Sequence, residues 1–154
     1  MWNVLFKSLG LLIVAATVLS GLVNAQDTRE ISWYTLEEAQ EKSLESDKDI
    51  MVFAVTEWCV YCKAMDKEAF VDPDIVSLIA ERFYPVRVDI ESDRTVTFNG
   101  EKMTESQFAE KYQLRIPPKT LFLSSGGEVL FDYTGYISEE AFSQLLTAWS
   151  EREI

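Results

Sequence analysis

Histidine is absent from this sequence of 154 residues, and cysteine occurs only twice. Without histidine the chain cannot form a Ser-His-Asp triad, a Cys-His dyad or a histidine-ligated zinc or copper site. The two cysteines, Cys59 and Cys62, are separated by only two residues. A disulfide stabilises a protein more when it closes a longer loop, so this pair contributes little as a structural cross-link. These absences favour a reactive role for the two cysteines.

Acidic residues are absent from the first 25 residues of the chain. Lys7 precedes an apolar stretch from Leu9 to Val23, and Val23-Asn24-Ala25 resembles the small-residue cleavage pattern of a signal peptide. The apolar stretch covers 15 residues, whereas a membrane-spanning helix needs about 20. We therefore predict an export signal at residues 1–25 and a mature domain at residues 26–154. An uncleaved membrane anchor is the alternative.

Acidic residues outnumber basic ones in the whole chain, and the formal net charge is −12. Removal of Lys7 with the first 25 residues takes the charge of the mature part to −13. Such a surface repels nucleic acid and anionic lipid, so we expect no nucleic-acid partner. The mature part is long enough for one hydrophobic core, and we expect a soluble monomer.

Hydrophobic periodicity predicts alternating strands and helices after residue 30. The predicted strands are residues 31–34, 50–55, 86–90, 120–123 and 129–133. Five helices are predicted. The first runs from the capping box at Thr35 to about Ser46, and the second carries Cys62 and is broken at Asp72-Pro73-Asp74. The third has an apolar stripe from Ile75 to Phe83, the fourth starts at the capping box at Thr104, and the fifth starts near Ser138.

The segment 91–103 is polar, and Asn99-Gly100 within it predicts a turn. The element order is strand and helix twice, a strand, a helix, a strand hairpin and a final helix. This order predicts an α/β fold in which a small mixed β-sheet is flanked by helices.

The cysteines lie in the motif Trp58-Cys59-Val60-Tyr61-Cys62, where a buried strand gives way to a helix. A helix N-terminus offers free backbone N–H groups and the positive end of the helix dipole. Both stabilise a thiolate, which is the nucleophilic form of cysteine. We therefore expect Cys59, at the accessible helix entrance, to attack a disulfide and the shielded Cys62 to resolve the mixed disulfide.

Three other interpretations of the cysteine pair compete with a redox role. A zinc site needs further ligands, and the chain has no third cysteine and no histidine. Cys59, Cys62 and Met65 together could form a soft Cu(I) site, although Met65 at this helical spacing is more typical of core packing. A purely structural disulfide is disfavoured by its very small loop.

Three stretches of the chain resemble the thioredoxin superfamily: WCVYCKAMDKEAFVDPDI, VRVDI and MTESQFAEKYQLRIPPKTLFLSSGGEVLFDYTGY. The resemblance covers roughly residues 31–150 and is closest to the SoxW-like periplasmic thioredoxins and the C-terminal domain of the DsbD family. It implies a thioredoxin fold and a periplasmic disulfide reductase that uses Cys59 and Cys62 without a metal or other cofactor. Its expected partners are proteins with disulfides and a membrane electron donor of the DsbD or CcdA kind. The resemblance also implies that Trp58, Pro117 and Pro118 bind substrate, with Pro118 as a cis-proline next to Cys59.

The chain departs from the family pattern at three places. The residue before the cis-proline normally pairs its backbone with substrate, but Pro117 has no N–H to donate. Phe53 stands where thioredoxins proper carry a buried aspartate, and the role of the nearby Glu57 is open. Val60-Tyr61 replaces the proline or histidine found between the cysteines of other members.

The charges near the cysteine motif indicate the direction of the reaction. Strong oxidants stabilise their thiolate heavily, often with a cationic neighbour. Here Glu57, Asp66 and Glu68 lie close to the motif, and negative charge disfavours a thiolate. The chain has Lys63 but no histidine near the motif, and the balance of charge therefore favours a reductant. An oxidase or isomerase and a non-catalytic Cu(I)-delivery module remain the alternative functions.

Overall fold

The computed structural model describes residues 30–152, and the predicted export signal at residues 1–25 lies outside this range. Within the described part, no helix is both long and apolar enough to cross a membrane. The five α-helices of residues 30–152 are α1 (Leu36–Leu44), α2 (Val60–Lys67), α3 (Pro73–Arg82), α4 (Glu105–Lys111) and α5 (Glu139–Glu151). The strands are β1 (Asp49–Val55), β2 (Phe83–Asp89), β3 (Thr95–Phe98), β4 (Glu101–Thr104), β5 (Lys119–Leu123) and β6 (Val129–Thr134).

The main sheet is mixed, with the strand order β2-β1-β5-β6. Strand β1 runs parallel to β2 and antiparallel to β5, and β5 is also antiparallel to β6. Residues 50–54 of β1 are all buried, because this strand lies inside the sheet and is covered on both faces. The predicted mixed sheet flanked by helices is therefore confirmed.

Side chains of β1 alternate between two hydrophobic clusters on opposite faces of the sheet. Met51 and Phe53 belong to the cysteine-side cluster, whose buried members are Met51, Phe53, Cys59, Cys62, Met65, Ala69, Phe70, Ile75, Ile79, Phe83, Phe122, Ile137, Phe142, Leu146 and Trp149. Ile50, Val52 and Ala54 belong to the far-side cluster, whose buried members are Leu36, Ala39, Ile50, Val52, Ala54, Val86, Val88, Phe98, Met103, Phe108, Ala109, Leu114, Leu121 and Leu123.

Both predicted capping boxes are present. Thr35 accepts the backbone N–H of Glu38, and Glu38 accepts the backbone N–H of Thr35 at 2.9 Å. Thr104 and Gln107 exchange the same pair of hydrogen bonds at the start of α4. Asp72 caps α3, which begins at Pro73, so the predicted break at Asp72-Pro73-Asp74 is confirmed. The motif helix itself ends earlier than predicted, at Lys67, and a short 3₁₀ helix at Ala69–Val71 lies before the break.

Three expectations for local structure are corrected. The predicted strand at residues 31–34 is reduced to one parallel bridge between Tyr34 and Val86. Phe83 begins β2 instead of ending the preceding helix, because its backbone at φ −135° and ψ 157° is extended. The polar segment 91–103 contains the β3–β4 hairpin, which turns at the predicted Asn99-Gly100 pair.

Candidate redox site

Cys59 and Cys62 form a disulfide at the point where the chain leaves β1 and enters α2. Cys59 is the N-cap of α2, and its Sγ accepts the backbone N–H of Cys62 at 3.1 Å. The backbone N–H of Cys59 in turn donates to the Thr56 carbonyl at 3.2 Å. A sulfur at this position receives both an N–H donor and the positive end of the helix dipole. The site is therefore built to stabilise negative charge on Cys59.

Exposure does not distinguish the two cysteines as the sequence suggested. Each is only 3% exposed in the disulfide form. Because the bond draws both sulfurs into the cysteine-side cluster, they share one packed environment. The side chains that face solvent beside them are Trp58, Val60 and Tyr61. This exposed apolar surface surrounds the helix entrance.

The predicted cis bond is present between Pro117 and Pro118. Antiparallel pairing places Ala54 opposite Lys119, so Pro118 lies at the same end of the sheet as the segment that leads to Cys59. Pro118 is buried and Pro117 half-buried, and the Pro118 carbonyl accepts the backbone N–H of Gly135 at 2.8 Å. The fold thus brings the proline pair and the cysteine motif to one edge of the sheet.

Trp58 is 62% exposed, yet its ring is held in place. The indole Nε1–H donates to a carboxylate oxygen of Glu91 at 3.0 Å. Glu91 follows β2, which pairs in parallel with β1, so the two residues leave the sheet at the same edge. Glu91 was not predicted from the sequence as a neighbour of the motif. Its position just after a predicted strand was the one indication that it would lie at this edge of the sheet.

A cleft of about 620 Å³ opens beside the Cys62 end of the motif. Asp66 and Arg87 form a bidentate ion pair there, with one contact of 3.0 Å. The Arg87 guanidinium also lies 4.5 Å from the centre of the Trp33 ring. Phe53, at the position of the family's buried aspartate, is fully buried. The Asp66–Arg87 ion pair that lines this cleft is therefore contributed by α2 and β2, not by β1.

The acidic residues near the motif differ in their surroundings. The Asp66 charge is balanced by Arg87, and Glu68 accepts a hydrogen bond from the hydroxyl of Tyr136. That hydrogen bond raises the pKa of the Tyr136 hydroxyl above its usual value. Glu57 is exposed in the loop before Trp58. Glu57, two residues before Cys59, and Glu91, which is bonded to Trp58, also place negative charge beside the motif.

Met65 is fully buried in the cysteine-side cluster, as expected for a core residue. Within residues 30–152, no group of three or more histidine, cysteine, aspartate or glutamate side chains could hold a metal ion.

The thioredoxin-like domain family matches residues 36–149 of this chain. Among solved structures, the chain is similar to the oxidoreductase DsbH, with 16% identity and a TM-score of 0.64 over 80% of this chain and 87% of that one. It is similar to a putative disulfide isomerase from Bacteroides thetaiotaomicron, with 24% identity and a TM-score of 0.62 over 81% of this chain and 97% of that one.

The reduced C-terminal domain of DsbD from Neisseria meningitidis is a third similar structure, with 20% identity and a TM-score of 0.56 over 73% of this chain and 92% of that one. No curated protein matches the chain. Because the family match spans most of the chain and encloses the close cysteine pair, this protein belongs to the thioredoxin-like family and has a thiol–disulfide oxidoreductase fold.

Proposed function

We propose that this protein reduces disulfides of partner proteins in the periplasm through the Cys59–Cys62 dithiol. The observation that carries the proposal is the position of the disulfide, with Cys59 as the N-cap of α2 and its sulfur accepting the Cys62 N–H. This arrangement stabilises an attacking thiolate. Trp58 and the Pro117-Pro118 pair, at the same edge of the sheet, form the surface that receives the substrate chain.

The reaction begins with the reduced protein. The Cys59 thiolate attacks one sulfur of the substrate disulfide, and the other substrate sulfur leaves as a thiolate. Cys62 then loses its proton and attacks the Cys59 sulfur, which releases the second substrate thiolate. The substrate gains two electrons, and the protein returns to the disulfide form. A dithiol on a membrane donor of the DsbD or CcdA kind reduces it again.

The reductive direction is supported by the charges around the motif. Val60 and Tyr61 place no cation between the cysteines. The carboxylate of Glu91 accepts the indole N–H of Trp58, the residue directly before Cys59. Negative charge disfavours the thiolate form, so the dithiol is less stabilised than in a strong oxidant. We expect a reduction potential of about −270 mV, the value of thioredoxin, and not of about −120 mV, the value of the strong oxidant DsbA.

Export to the periplasm is supported by the sequence of residues 1–25. Mass spectrometry of the protein recovered from the periplasm should find a mature chain that begins near Gln26. A chain that keeps Met1 and remains in the membrane fraction would favour the anchor.

Single-cysteine variants test the mechanism. With dithiothreitol as electron donor and insulin as substrate, Cys59→Ser should abolish disulfide reduction. Cys62→Ser should accumulate mixed disulfides because the resolving thiol is lost. These species are visible by non-reducing electrophoresis and can be identified by mass spectrometry.

The matched control is Met65→Leu, which removes a buried sulfur from the same helix and leaves both cysteines. It should keep most of the reductase activity. Full turnover by Cys62→Ala would contradict the two-thiol mechanism, and a potential near that of strong oxidants would contradict the direction. Stoichiometric Cu(I) in the reduced protein, lost in Met65→Leu, would favour the copper-delivery alternative.

A further inference from the structure

Tyr61, which lies between the two cysteines, forms an exposed aromatic pair with Tyr136. Tyr61 is 64% exposed, and the centre of its ring lies 6.2 Å from that of Tyr136. Tyr136 directly follows Gly135, whose backbone N–H donates to the Pro118 carbonyl at 2.8 Å. The pair therefore joins the motif helix to the segment beside the cis-proline, and it borders the surface proposed to receive the substrate chain.

A carboxylate holds the Tyr136 ring in place. The Tyr136 hydroxyl donates a hydrogen bond to Glu68, the C-cap of α2. Glu68 comes seven residues after Tyr61, which is about two turns of an α-helix, and Tyr136 contacts both. A ring whose hydroxyl donates to a carboxylate gains electron density, because hydrogen bonds polarise the groups that they join. The negative face of an aromatic ring attracts cations.

The electrostatic potential at Tyr136 is negative. Its hydrogen bond to Glu68 raises the pKa of the hydroxyl, and the negative charges of Glu68 and Glu139 raise it further. Negative charges have this effect because ionisation of the hydroxyl would add another negative charge beside them. Glu139 lies in the first turn of α5, and both carboxylates are exposed. A solvent-facing aromatic pair therefore has two ionised carboxylates beside it.

The basic side chains of the neighbouring segments lie on other surfaces. Lys63 lines the cleft described above, and Arg115 lines a separate cavity of about 430 Å³ next to α4. Lys67 leaves α2 about 100° around the helix from Glu68, because successive helical residues are separated by that angle. Within residues 30–152, no cation lies over either ring of the tyrosine pair. The negative faces of the two rings therefore have no cation bound to them.

We propose that Tyr61, Tyr136 and Glu68 form a subsite for a lysine or arginine side chain that the substrate carries beside its disulfide. This inference rests on the proposed reductase function and adds the charge class of the substrate, a basic polypeptide. The substrate cation lies over the Tyr61 ring, and the charges of Glu68 and Glu139 attract it. The net charge of the chain, −12, steers the same class of substrate towards the protein at longer range.

Three synthetic peptides that contain the same intramolecular disulfide test this preference. The residues beside the disulfide are lysine in the first peptide, glutamine in the second and glutamate in the third. Protein recovered from the periplasm is reduced, freed of the reducing agent and mixed with each peptide, and acid-quenched samples are separated by chromatography. Each rate constant is divided by that of mercaptoethanol with the same peptide, which removes the effect of peptide charge on attack by any thiolate. The corrected rate constant should be about tenfold higher for the lysine peptide than for the glutamate peptide, with the glutamine peptide between them.

Two variants each remove one part of the subsite. Glu68→Gln removes the charge and keeps a side-chain carbonyl that can accept the Tyr136 hydroxyl, and Tyr61→Leu keeps an apolar side chain without the ring. Each should lower the lysine-to-glutamate ratio about threefold. The matched control is Glu128→Gln, which removes the same charge from an exposed turn at the opposite end of the sheet. It should leave the ratio unchanged.

Equal corrected rate constants for the three peptides, or a preference for the glutamate peptide, would overturn the proposal. An equal fall of the ratio in Glu68→Gln and Glu128→Gln would also overturn it, because net charge alone would then explain the preference. An unchanged ratio in both Glu68→Gln and Tyr61→Leu would have the same consequence. Reduction of none of the three peptides is a different result, because it would contradict the reductase function itself and the subsite with it.

Discussion

The cysteine-side and far-side clusters cover opposite faces of the same sheet and are held together differently. On the cysteine side, aromatic rings contact one another in sequence: Phe53 and Phe70 at 4.8 Å, and Phe70 and Phe142 at 5.8 Å between ring centres. On the far side, aromatic packing is joined by a network of polar contacts between turns. Gln40 donates to the Ser125 carbonyl at 2.9 Å and also bonds Asn99.

The two clusters differ in their contacts because one surrounds the disulfide and the other joins a helix to two turns. The cysteine-side cluster surrounds the disulfide that the proposed reaction makes and breaks in each cycle, and apolar packing requires no fixed partner atoms. The far-side network joins α1, the β3–β4 hairpin and the β5–β6 turn, where backbone groups need partners. The comparison indicates that polar contacts fix the scaffold on the far side, while apolar packing surrounds the cysteine pair on the other side.

Removal of one fully buried ring from each cluster gives the largest expected effect. Phe142→Ala and Phe108→Ala should each cost about 3–5 kcal/mol of unfolding free energy, because both rings are completely buried. Denaturant titration measures this loss. Phe142→Ala should also speed reduction of the disulfide by dithiothreitol, since it loosens the cluster that contains both cysteines. Equal reduction rates in the two variants would show that the faces are not functionally distinct.

A smaller effect is expected at Gly127, in the β5–β6 turn on the far side of the sheet. Gly127 has a positive φ of 83°, and an added Cβ would lie 2.6 Å from Asn99 Nδ2 and 2.7 Å from the Tyr112 hydroxyl. Gly127→Ala should therefore cost about 2–3 kcal/mol, measured by denaturant titration, with reductase turnover unchanged in the folded protein.

Its matched control is Gly126→Ala, one residue earlier. The added Cβ there would meet only Ser124 Oγ at an ordinary 3.8 Å, so the change should stay within about 0.5 kcal/mol. A similar loss in both variants would contradict the close packing of Gly127 against the hairpin.

The smallest effect is expected at the capping box of α1. Hydrogen bonds from the Thr35 backbone N–H and hydroxyl lower the pKa of Glu38 below its ordinary value of 4.5. Because the folded value is the lower one, the ionised carboxylate stabilises the protein above pH 4.5 and loses this contribution as pH falls through the lowered pKa.

Glu38→Gln keeps a side chain that can fill the capping box but removes the charge. The fall in thermal midpoint on acidification should therefore be smaller in this variant than in the unmodified protein. Glu37→Gln, in the same first turn, should reproduce the unmodified pH profile. A parallel profile for Glu38→Gln would refute the assignment.

The elements predicted best were those whose pattern is local. The run at residues 50–55 became the buried strand β1, and the capping boxes at Thr35 and Thr104 became helix starts. The β3–β4 hairpin was missed because two four-residue strands in a polar segment have too little alternation to identify. Gln40 of α1 bonds the backbone N–H of Asn99, and such contacts between distant segments leave no local pattern.

By itself, the sequence determined the type of chemistry. It contains no histidine and only one pair of cysteines, and that pair lies at a strand-to-helix junction, where a helix N-terminus stabilises a thiolate. Only the tertiary structure decided which neighbouring groups act on the pair. Asp66 is balanced by Arg87, 21 positions away, and the indole of Trp58 is bonded to Glu91, 33 positions away. These pairings depend on which strands are neighbours and on burial, because electrostatic and hydrogen-bond strength is set by distance and solvent access.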